Sequence, residues 1–152
     1  MAILPRTPDW YFEDIIVGRS YDFGAEEITA DDIALIHEKF APDLPNKASE
    51  KGLEHRGPRA AESHVYAVWR KMLFDETRSW PIVKRLAQDN LRFYRSCYAG
   101  DKLHVRLTFL SLEDRTGDEG VLVASNEVLD EDELLVMSVL TRSLIAKRPK
   151  NP

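Results

Sequence analysis

The sequence has little cysteine, no excess of basic charge and no long apolar run. Cys97 is the one cysteine among 152 residues, which excludes an intrachain disulfide and a zinc site built from several cysteines. The formal net charge is −5, which argues against a nucleic-acid-binding surface. No window approaches the roughly 18 consecutive apolar residues of a membrane helix, and the N-terminus lacks a signal-peptide core. We therefore expect a cytoplasmic protein that binds neither nucleic acid nor membrane.

The length and composition are those of a globular domain. Hydrophobic residues make up 43% of the chain and charged residues 31%, and a domain of this size buries a core without disulfides or metal. We predict one domain over residues 1–152. The four histidines have no paired-carboxylate spacing, so we predict no metal site.

The first part of the chain predicts a strand followed by a short helix. Residues 20–28 have strand character, with a glycine break. Thr29 and Asp32 form a capping-box-like helix start, and Pro42 ends that helix. Three apolar residues share one helical face: Ile33, Ile36 and Phe40.

A longer helix follows Pro58, over residues 59–76, because proline suits the first turn. Its small residues at the start allow close approach of another backbone. Its apolar stripe comprises Ala61, Val65, Val68 and Met72. We assign three of its aromatic residues to the core: Tyr66, Trp69 and Phe74.

The second half of the chain predicts an antiparallel sheet. Residues 77–87 look irregular, 89–98 have strand character, and 99–101 form an Ala-Gly-Asp turn. Four apolar residues then alternate with polar ones, which is the period of a half-buried strand: Leu103, Val105, Leu107 and Phe109. Strands over 121–129 and 134–146 complete an α+β arrangement of one sheet packed on one long helix.

Several strings, in this order, resemble the MaoC-like dehydratase family over roughly residues 10–149. They are WYFEDIIVGRSYDFG, ITADDIALIHEKFAP, RAAESHVYAVWRKML, LRFYRSCYAGDKLHVRLTFLSL and LTRSLIAKRP. The resemblance implies the hotdog fold, a curved antiparallel sheet wrapped around one long helix. It also implies addition of water to a 2-enoyl thioester or the reverse reaction, as in fatty acid metabolism. The implied substrate is an acyl-CoA or acyl-carrier thioester, the implied assembly is a homodimer, and no cofactor is implied.

The loop after the first helix, FAPDLPNKAS at residues 40–49, departs from the family pattern. Hydratase members of the family carry an Asp and a His five residues apart here, in Asp-x-Asn-Pro-x-His or Asp-Pro-x-Pro-x-His form. When Pro42 is placed on the first proline of the second form, Ala41 takes the Asp position and Asn46 takes the His position. Alanine moves no proton and an amide is not a general base near neutral pH. Either the reaction is lost or nearby residues have taken it over.

Four residues are candidates for catalysis: Asp43, Asn46, Glu62 and His64. Asp43 could replace the missing acid, or it could be a solvated loop residue. Glu62 could act as a base or nucleophile on the central helix, as in some hotdog thioesterases, or it could simply suit the positive end of the helix dipole. His64 matches a frequent family histidine, or it is a packed structural residue.

Four further residues are candidates for contacts with the carrier arm of the thioester: His55, Arg59, Arg92 and Arg95. His55 and Arg59 could meet a phosphate of coenzyme A. Arg92 and Arg95 could border the entrance of the pantetheine arm. The alternative for all four is a solvated surface. We interpret His37 as structural and Cys97 as buried and inert.

Three functional hypotheses follow. The first is a hydratase or dehydratase of acyl thioesters that uses substitute groups. The second is a hotdog thioesterase that uses Glu62. The third is a non-catalytic subunit that binds an acyl-CoA or acyl-carrier thioester, or that pairs with a catalytically complete relative.

Overall fold

The computed structural model describes residues 8–42 and 54–150. The elements in chain order are β1 (Ser20–Glu27), α1 (Ala30–Phe40), α2 (Glu62–Thr77), β2 (Ile82–Phe93), β3 (Lys102–Asp114), β4 (Glu119–Leu129) and β5 (Leu135–Ala146). Short 3-10 helices cover Phe12–Asp14 and Glu54–Arg56. The five strands form one antiparallel sheet in the order β1-β3-β4-β5-β2. The predicted α+β architecture is confirmed. Neither α-helix of the described residues has the length and hydropathy needed to span a bilayer.

The core lies between α2 and the sheet. Trp69, on the buried face of α2, is 0% exposed, and its indole N–H donates to Oδ1 of the equally buried Asn126 on β4 at 3.3 Å. The amide of Asn126 donates in turn to Oγ1 of Thr141 on β5 at 3.1 Å. Burying an unpaired polar group is costly, and this chain of bonds pairs the buried indole N–H of Trp69 and the amide of Asn126.

The alternation predicted for β3 is confirmed. Its four apolar residues, Leu103, Val105, Leu107 and Phe109, are all buried. The turn before β3 is also as predicted: Gly100 has a φ of 93°, and Oδ2 of Asp101 accepts from the N–H of Tyr98 at 2.8 Å.

The start of α1 is confirmed, but its predicted apolar face is partly wrong. The hydroxyl of Thr29 accepts from the N–H of Asp32 at 3.2 Å, as a helix N-cap does. Ile33 is buried, whereas Phe40 is 68% exposed. The buried pair is Ile33 and His37, four residues apart, because the helix presents that row to the rest of the molecule.

The long helix begins three residues later than predicted, at Glu62. The N–H of Ala60 donates to the carbonyl of Cys97 at 2.7 Å, which holds the preceding segment against the chain that leads into β3. Ala61, Val65 and Met72 are buried as predicted. Phe74 is exposed, so its assignment to the core was wrong.

The prediction for residues 77–98 was wrong in its boundaries. β2 covers Ile82–Phe93, so it starts and ends earlier than predicted. Its residues are exposed over most of its length, since it pairs with β5 alone and stands at the edge of the sheet. A strand with both faces in solvent needs no alternation of apolar and polar residues. Residues 82–88, IVKRLAQ, lack this alternation, so the sequence did not indicate a strand there.

Candidate functional site

A cavity of about 380 Å³ opens at the N-terminus of α2. Its walls are Ala41 after α1, residues 59–63 and Val65 around the start of α2, and residues 93–97 from the last residue of β2 onward. We call it the helix-end cavity. It brings together groups that lie far apart in the sequence.

The backbone at the start of α2 offers two N–H groups to this cavity. Ala61 caps the helix in an extended conformation and contributes no side-chain hydrogen bond. The helical bonds begin with the N–H groups of His64 and Val65, which donate to the carbonyl of Ala61 at 3.0 and 3.2 Å. Within the described residues, the N–H groups of Glu62 and Ser63 have no acceptor, as expected for a first turn. They form the positive end of the helix dipole and suit an anion or a developing oxyanion.

Glu62 is the one acidic residue among the described residues that line the helix-end cavity. Its side chain is exposed, as is that of Ser63, while Ala60 and Ala61 behind them are buried. The two alanines have no bulk beyond Cβ, so a ligand can approach the backbone closely. The residue with the carboxylate, Glu62, and the two residues with free backbone N–H groups, Glu62 and Ser63, therefore line one cavity.

Ala41 also lines this cavity, from the end of α1. Its N–H donates to the carbonyl of Ile36 at 3.0 Å and closes the helix. Ala41, which the sequence analysis predicted to stand at the Asp position of the hydratase motif, thus lines the cavity with only a methyl group as its side chain. Asp43 and Asn46 lie outside the described residues.

His64 lies behind the cavity instead of in its wall. It is buried, and its Nδ1 has no hydrogen-bond partner among the described residues. Burial lowers the pKa of His64; the Asp32 carboxylate opposes this effect and His37 adds to it. The side chain is therefore a neutral imidazole at neutral pH, between α1 and α2.

Two of the four predicted cations line the helix-end cavity. Arg59 and Arg95 both belong to its wall, and the buried Nε of Arg59 has no partner among the described residues. Arg95 lies 4.0 Å from the carboxylate of Asp130, measured from its Nε. Arg92 is exposed on β2 and lines a separate pocket, and His55 is exposed on the 3-10 helix Glu54–Arg56. The structure thus brings Arg59, Glu62 and Arg95 together at the helix-end cavity. His55 and Arg92 do not line it.

Arg56 is a structural residue that the sequence did not single out. Its Nη2 donates to Oδ1 of Asp101 at 2.6 Å, and its guanidinium lies 5.2 Å from the ring centroid of Tyr98. The pKa of Arg56 is raised, chiefly by its hydrogen bond to Asp101. This pair fixes the 3-10 helix to the Gly100-Asp101 turn. It joins residues 45 apart in the chain, and no local pattern signals such a contact.

Cys97 reaches the helix-end cavity but is a poor nucleophile. Burial raises the pKa of its thiol to about 12, so the thiolate is scarce at neutral pH. This confirms the interpretation of Cys97 as buried and inert.

A second cluster of polar groups lies on the outer side of the sheet. A carboxylate oxygen of Asp22, a carboxylate oxygen of Glu133 and an imidazole nitrogen of His104 all lie within 4.8 Å of one another, and each could serve as a metal ligand. Arg106 joins this cluster, because its guanidinium donates to both oxygens of Asp22 at 2.9 Å and to Glu133 at 2.9 Å. The cation that balances these carboxylates is thus a side chain of the protein. The sequence did not reveal this grouping because three different segments supply it.

Comparison by sequence with protein-family models and with curated proteins gave no match. Solved structures do match. A MaoC-like dehydratase from Rhodospirillum rubrum has a TM-score of 0.76 and 21% identity, covering 93% of this chain and 99% of that one. A conserved hypothetical protein from Mycobacterium tuberculosis with a double hotdog fold has a TM-score of 0.71 and 19% identity, over 93% of this chain and 46% of that one.

A further match is the (3R)-hydroxyacyl-ACP dehydratase complex HadBC from Mycobacterium tuberculosis. Its TM-score is 0.63 and its identity 21%, covering 86% of this chain and 97% of that one. (R)-hydratases from Pseudomonas aeruginosa and A. caviae also match. At these identities the likeness shows the fold. The chain has the hotdog fold, as its resemblance to MaoC-like dehydratases implied.

Proposed function

We propose that the protein binds an acyl thioester in the helix-end cavity and adds water to a 2-enoyl thioester there, or removes it in the reverse reaction. The observation that carries this proposal is the shared cavity of the Glu62 carboxylate and the N–H groups that begin α2. The fold neighbours named as dehydratases and hydratases support the same class of reaction.

The backbone donors supply the electrophilic half of the reaction. The thioester carbonyl oxygen accepts from the N–H groups of Glu62 and Ser63, which draws electron density from the conjugated double bond. As water adds, negative charge develops on this oxygen, and fixed donors stabilise that charge more than they stabilise the ground state. The positive end of the α2 dipole acts in the same direction.

The carboxylate of Glu62 supplies the proton transfers. It takes a proton from water while the water oxygen bonds to the β-carbon. The α-carbon then takes a proton from the carboxyl group, which restores the carboxylate. Glu62 thereby replaces the Asp-and-His pair whose positions hold Ala41 and Asn46. Asp43 and Asn46 remain proposed helpers that orient the water, and His64 is proposed to position α2 from behind.

The cations are proposed to hold the carrier arm. Arg59 and Arg95 line the cavity, and guanidinium groups pair well with phosphate oxygens. The unpartnered Nε of Arg59 gives this assignment its strongest support. His55 and Arg92 lie farther out, and we propose them for the distal phosphates of coenzyme A.

Thioester hydrolysis is the second candidate, and the lone carboxylate of the described cavity wall favours it. Hydrolysis needs a single base to activate water against the carbonyl carbon, whereas hydration needs a proton at the α-carbon as well. The same backbone donors serve the tetrahedral oxyanion.

One assay separates these reactions. The purified protein is mixed with crotonyl-CoA, and two signals are followed: absorbance of the conjugated thioester and release of free thiol. Loss of absorbance without thiol release supports hydration; thiol release supports hydrolysis. If neither occurs but crotonyl-CoA raises the melting temperature, the protein is a binding subunit. If the absorbance, the free thiol and the melting temperature all stay unchanged, the result contradicts the proposed site.

Glu62→Gln identifies the base. It keeps the volume and the backbone of the site but removes proton transfer, so the turnover is expected to fall by about 10²–10⁴-fold. Asp31→Asn is the matched control, since Asp31 lies in the first turn of the other helix and does not line the cavity. Unchanged turnover in Glu62→Gln contradicts the role of Glu62.

We also propose a homodimer that forms through β2. This strand is a long edge with exposed apolar side chains at Val83, Leu86 and Leu91. Open edges of this kind are pairing sites unless they are covered. Phe93, the last residue of β2, and residues 94–97 after it line the helix-end cavity, so a partner on this edge adjoins the site.

A further inference from the structure

A second cavity, of about 470 Å³, lies at the other end of α2. Four of its nine lining residues are aromatic: Trp10, Tyr21, Trp80 and Phe109. Glu76, in the last turn of α2, also lines it. A 16-residue helix is about 24 Å long, so this aromatic cavity is separate from the helix-end cavity.

Neighbouring aromatic rings of this cavity pack at steep angles to one another, in edge-to-face pairs. The centroids of Trp10 and Trp80 are 5.1 Å apart with 70° between the ring planes. Trp80 and Phe109 are 5.9 Å apart at 61°, and Tyr21 and Phe109 are 6.0 Å apart at 64°. The faces of such rings carry negative potential and attract cations.

Glu76 adds a formal negative charge to this aromatic cavity. Its side chain is half-buried and has no ion pair with any described residue. Burial raises the pKa of the Tyr21 phenol and the Glu76 carboxylate raises it further, which shows that the two groups are close. The last turn of α2 contains no basic residue, and the residue that caps its end is Arg78, which does not line the cavity.

Other charged residues lie near Glu76, but none of the described residues forms an ion pair with it. Asp14, at the cavity wall, is already paired with Arg148. Arg85 donates to Oγ1 of Thr77 at 2.9 Å but does not line the cavity. Arg19 lines the cavity with an exposed side chain, and it makes no ion pair with Glu76.

We propose that the aromatic cavity binds a quaternary ammonium group. The methyl groups pack against the rings of Trp10, Trp80 and Phe109, and the charge meets their faces and the Glu76 carboxylate. An inorganic cation suits this wall poorly, because hard cations need several oxygen ligands. The site is independent of the acyl-thioester reaction proposed for the other end of α2.

Tryptophan fluorescence provides the test. The protein has three tryptophans; two line the aromatic cavity, and Trp69 is fully buried elsewhere. Choline chloride is titrated at constant ionic strength, and 3,3-dimethylbutan-1-ol, which has the same shape without the charge, is titrated in parallel. A saturable change with choline and none with the neutral alcohol is the expected result. Equal responses to both compounds, or no response to choline in the folded protein, overturn the proposal.

Two carboxylate variants test the charge. Glu76→Gln keeps the side-chain volume and is expected to weaken choline binding about tenfold, which corresponds to about 1.4 kcal/mol. Glu27→Gln is the control, because Glu27 is exposed at the far end of β1 and lies outside the cavity. Trp80→Phe retains a ring with a weaker quadrupole and is expected to weaken binding less than removal of the ring by Trp80→Leu. Unchanged affinity in Glu76→Gln overturns the proposal.

Discussion

Ala41 and Glu62 line the same cavity from the ends of two different helices. Ala41 offers only a methyl group to this cavity, whereas Glu62 offers a carboxylate. The two residues are distant in the sequence, and the fold places both beside one cavity.

Placing an Asp and a His at positions 41 and 46 tests whether the hotdog scaffold supports the proposed hydration. The double variant Ala41→Asp/Asn46→His is expected to hydrate crotonyl-CoA faster than the wild type, because an acid at position 41 faces the backbone donors of α2. The initial rate of absorbance loss measures this. Ala41→Asn/Asn46→His is the control, since an amide of similar size moves no proton. Equal rates in both double variants would show that position 41 does not take part.

Ser63→Pro removes one backbone donor from the start of α2. Proline lacks the N–H and is tolerated in a first helical turn, where this N–H makes no helical bond. The turnover of the thioester is expected to fall by about 10²–10³-fold, as for other oxyanion donors. Ser63→Ala keeps the N–H and is the control. If both variants retain full activity at an unchanged melting temperature, the backbone donors are not the oxyanion site.

Gly120→Ala is expected to destabilise the fold. A Cβ added at Gly120 would lie 2.3 Å from Cε2 of the buried Phe12, so the ring must move. Overpacking of this kind costs about 1–3 kcal/mol in the free energy of unfolding, which denaturant titration measures. Shortening the opposing ring in Gly120→Ala/Phe12→Leu should recover part of the loss relative to Phe12→Leu alone. Additive effects of the two changes would contradict direct contact.

Because the thiol of Cys97 is buried, we expect the folded protein to lose stability at alkaline pH. Burial raises the pKa of its thiol from 9.0 to about 12 in the folded protein, so the folded state holds this proton more tightly than the unfolded chain does. The resulting stabilisation is complete below pH 9 and declines as the pH rises toward 12. Denaturant unfolding at pH 7, 9 and 10 should show a steeper decline for the wild type than for Cys97→Ala. Parallel curves would refute this role of the thiol.

The exposed edge of β2 predicts the oligomeric state. The wild type is expected to elute with the mass of a dimer in size-exclusion chromatography with light scattering. Leu91→Lys, on β2, should shift the mass toward that of the monomer because a desolvated charge opposes the interface. Leu35→Lys is the control, as Leu35 is exposed on α1. A monomeric wild type, or equal effects of both substitutions, would argue against this edge.

The parts of the fold that were predictable from the sequence are those with a local signal, such as a strand with one buried and one exposed face or a helix with a capping residue. β3 alternates because one face is buried, and α1 begins where Thr29 can cap it. β2 was misplaced because both of its faces are exposed, so its sequence carries no period. Phe40 and Phe74 were assigned inward because they are apolar, but the helix faces that carry them have no neighbour in the described chain.

The candidate site was predictable only where a local motif existed. Glu62 was named as a candidate because it lies near the start of a predicted helix, and Ala41 because a neighbouring proline suggested its place in a motif. The contact of Arg56 with Asp101 and the aromatic cavity were missed, since each depends on segments that only tertiary packing brings together. The grouping of Asp22, His104 and Glu133 escaped for the same reason.

The hydrogen bond from Trp69 to Asn126 fixes the rotation of α2 about its own axis. An indole that must meet one amide on β4 leaves the helix a single angular setting against the sheet. Trp69 is seven residues after Glu62 and seven before Glu76, so it stands midway between the two cavities. A substitution of Asn126 that removes this hydrogen bond would therefore let α2 rotate about its axis. Such a rotation would change the helix-end cavity and the aromatic cavity together.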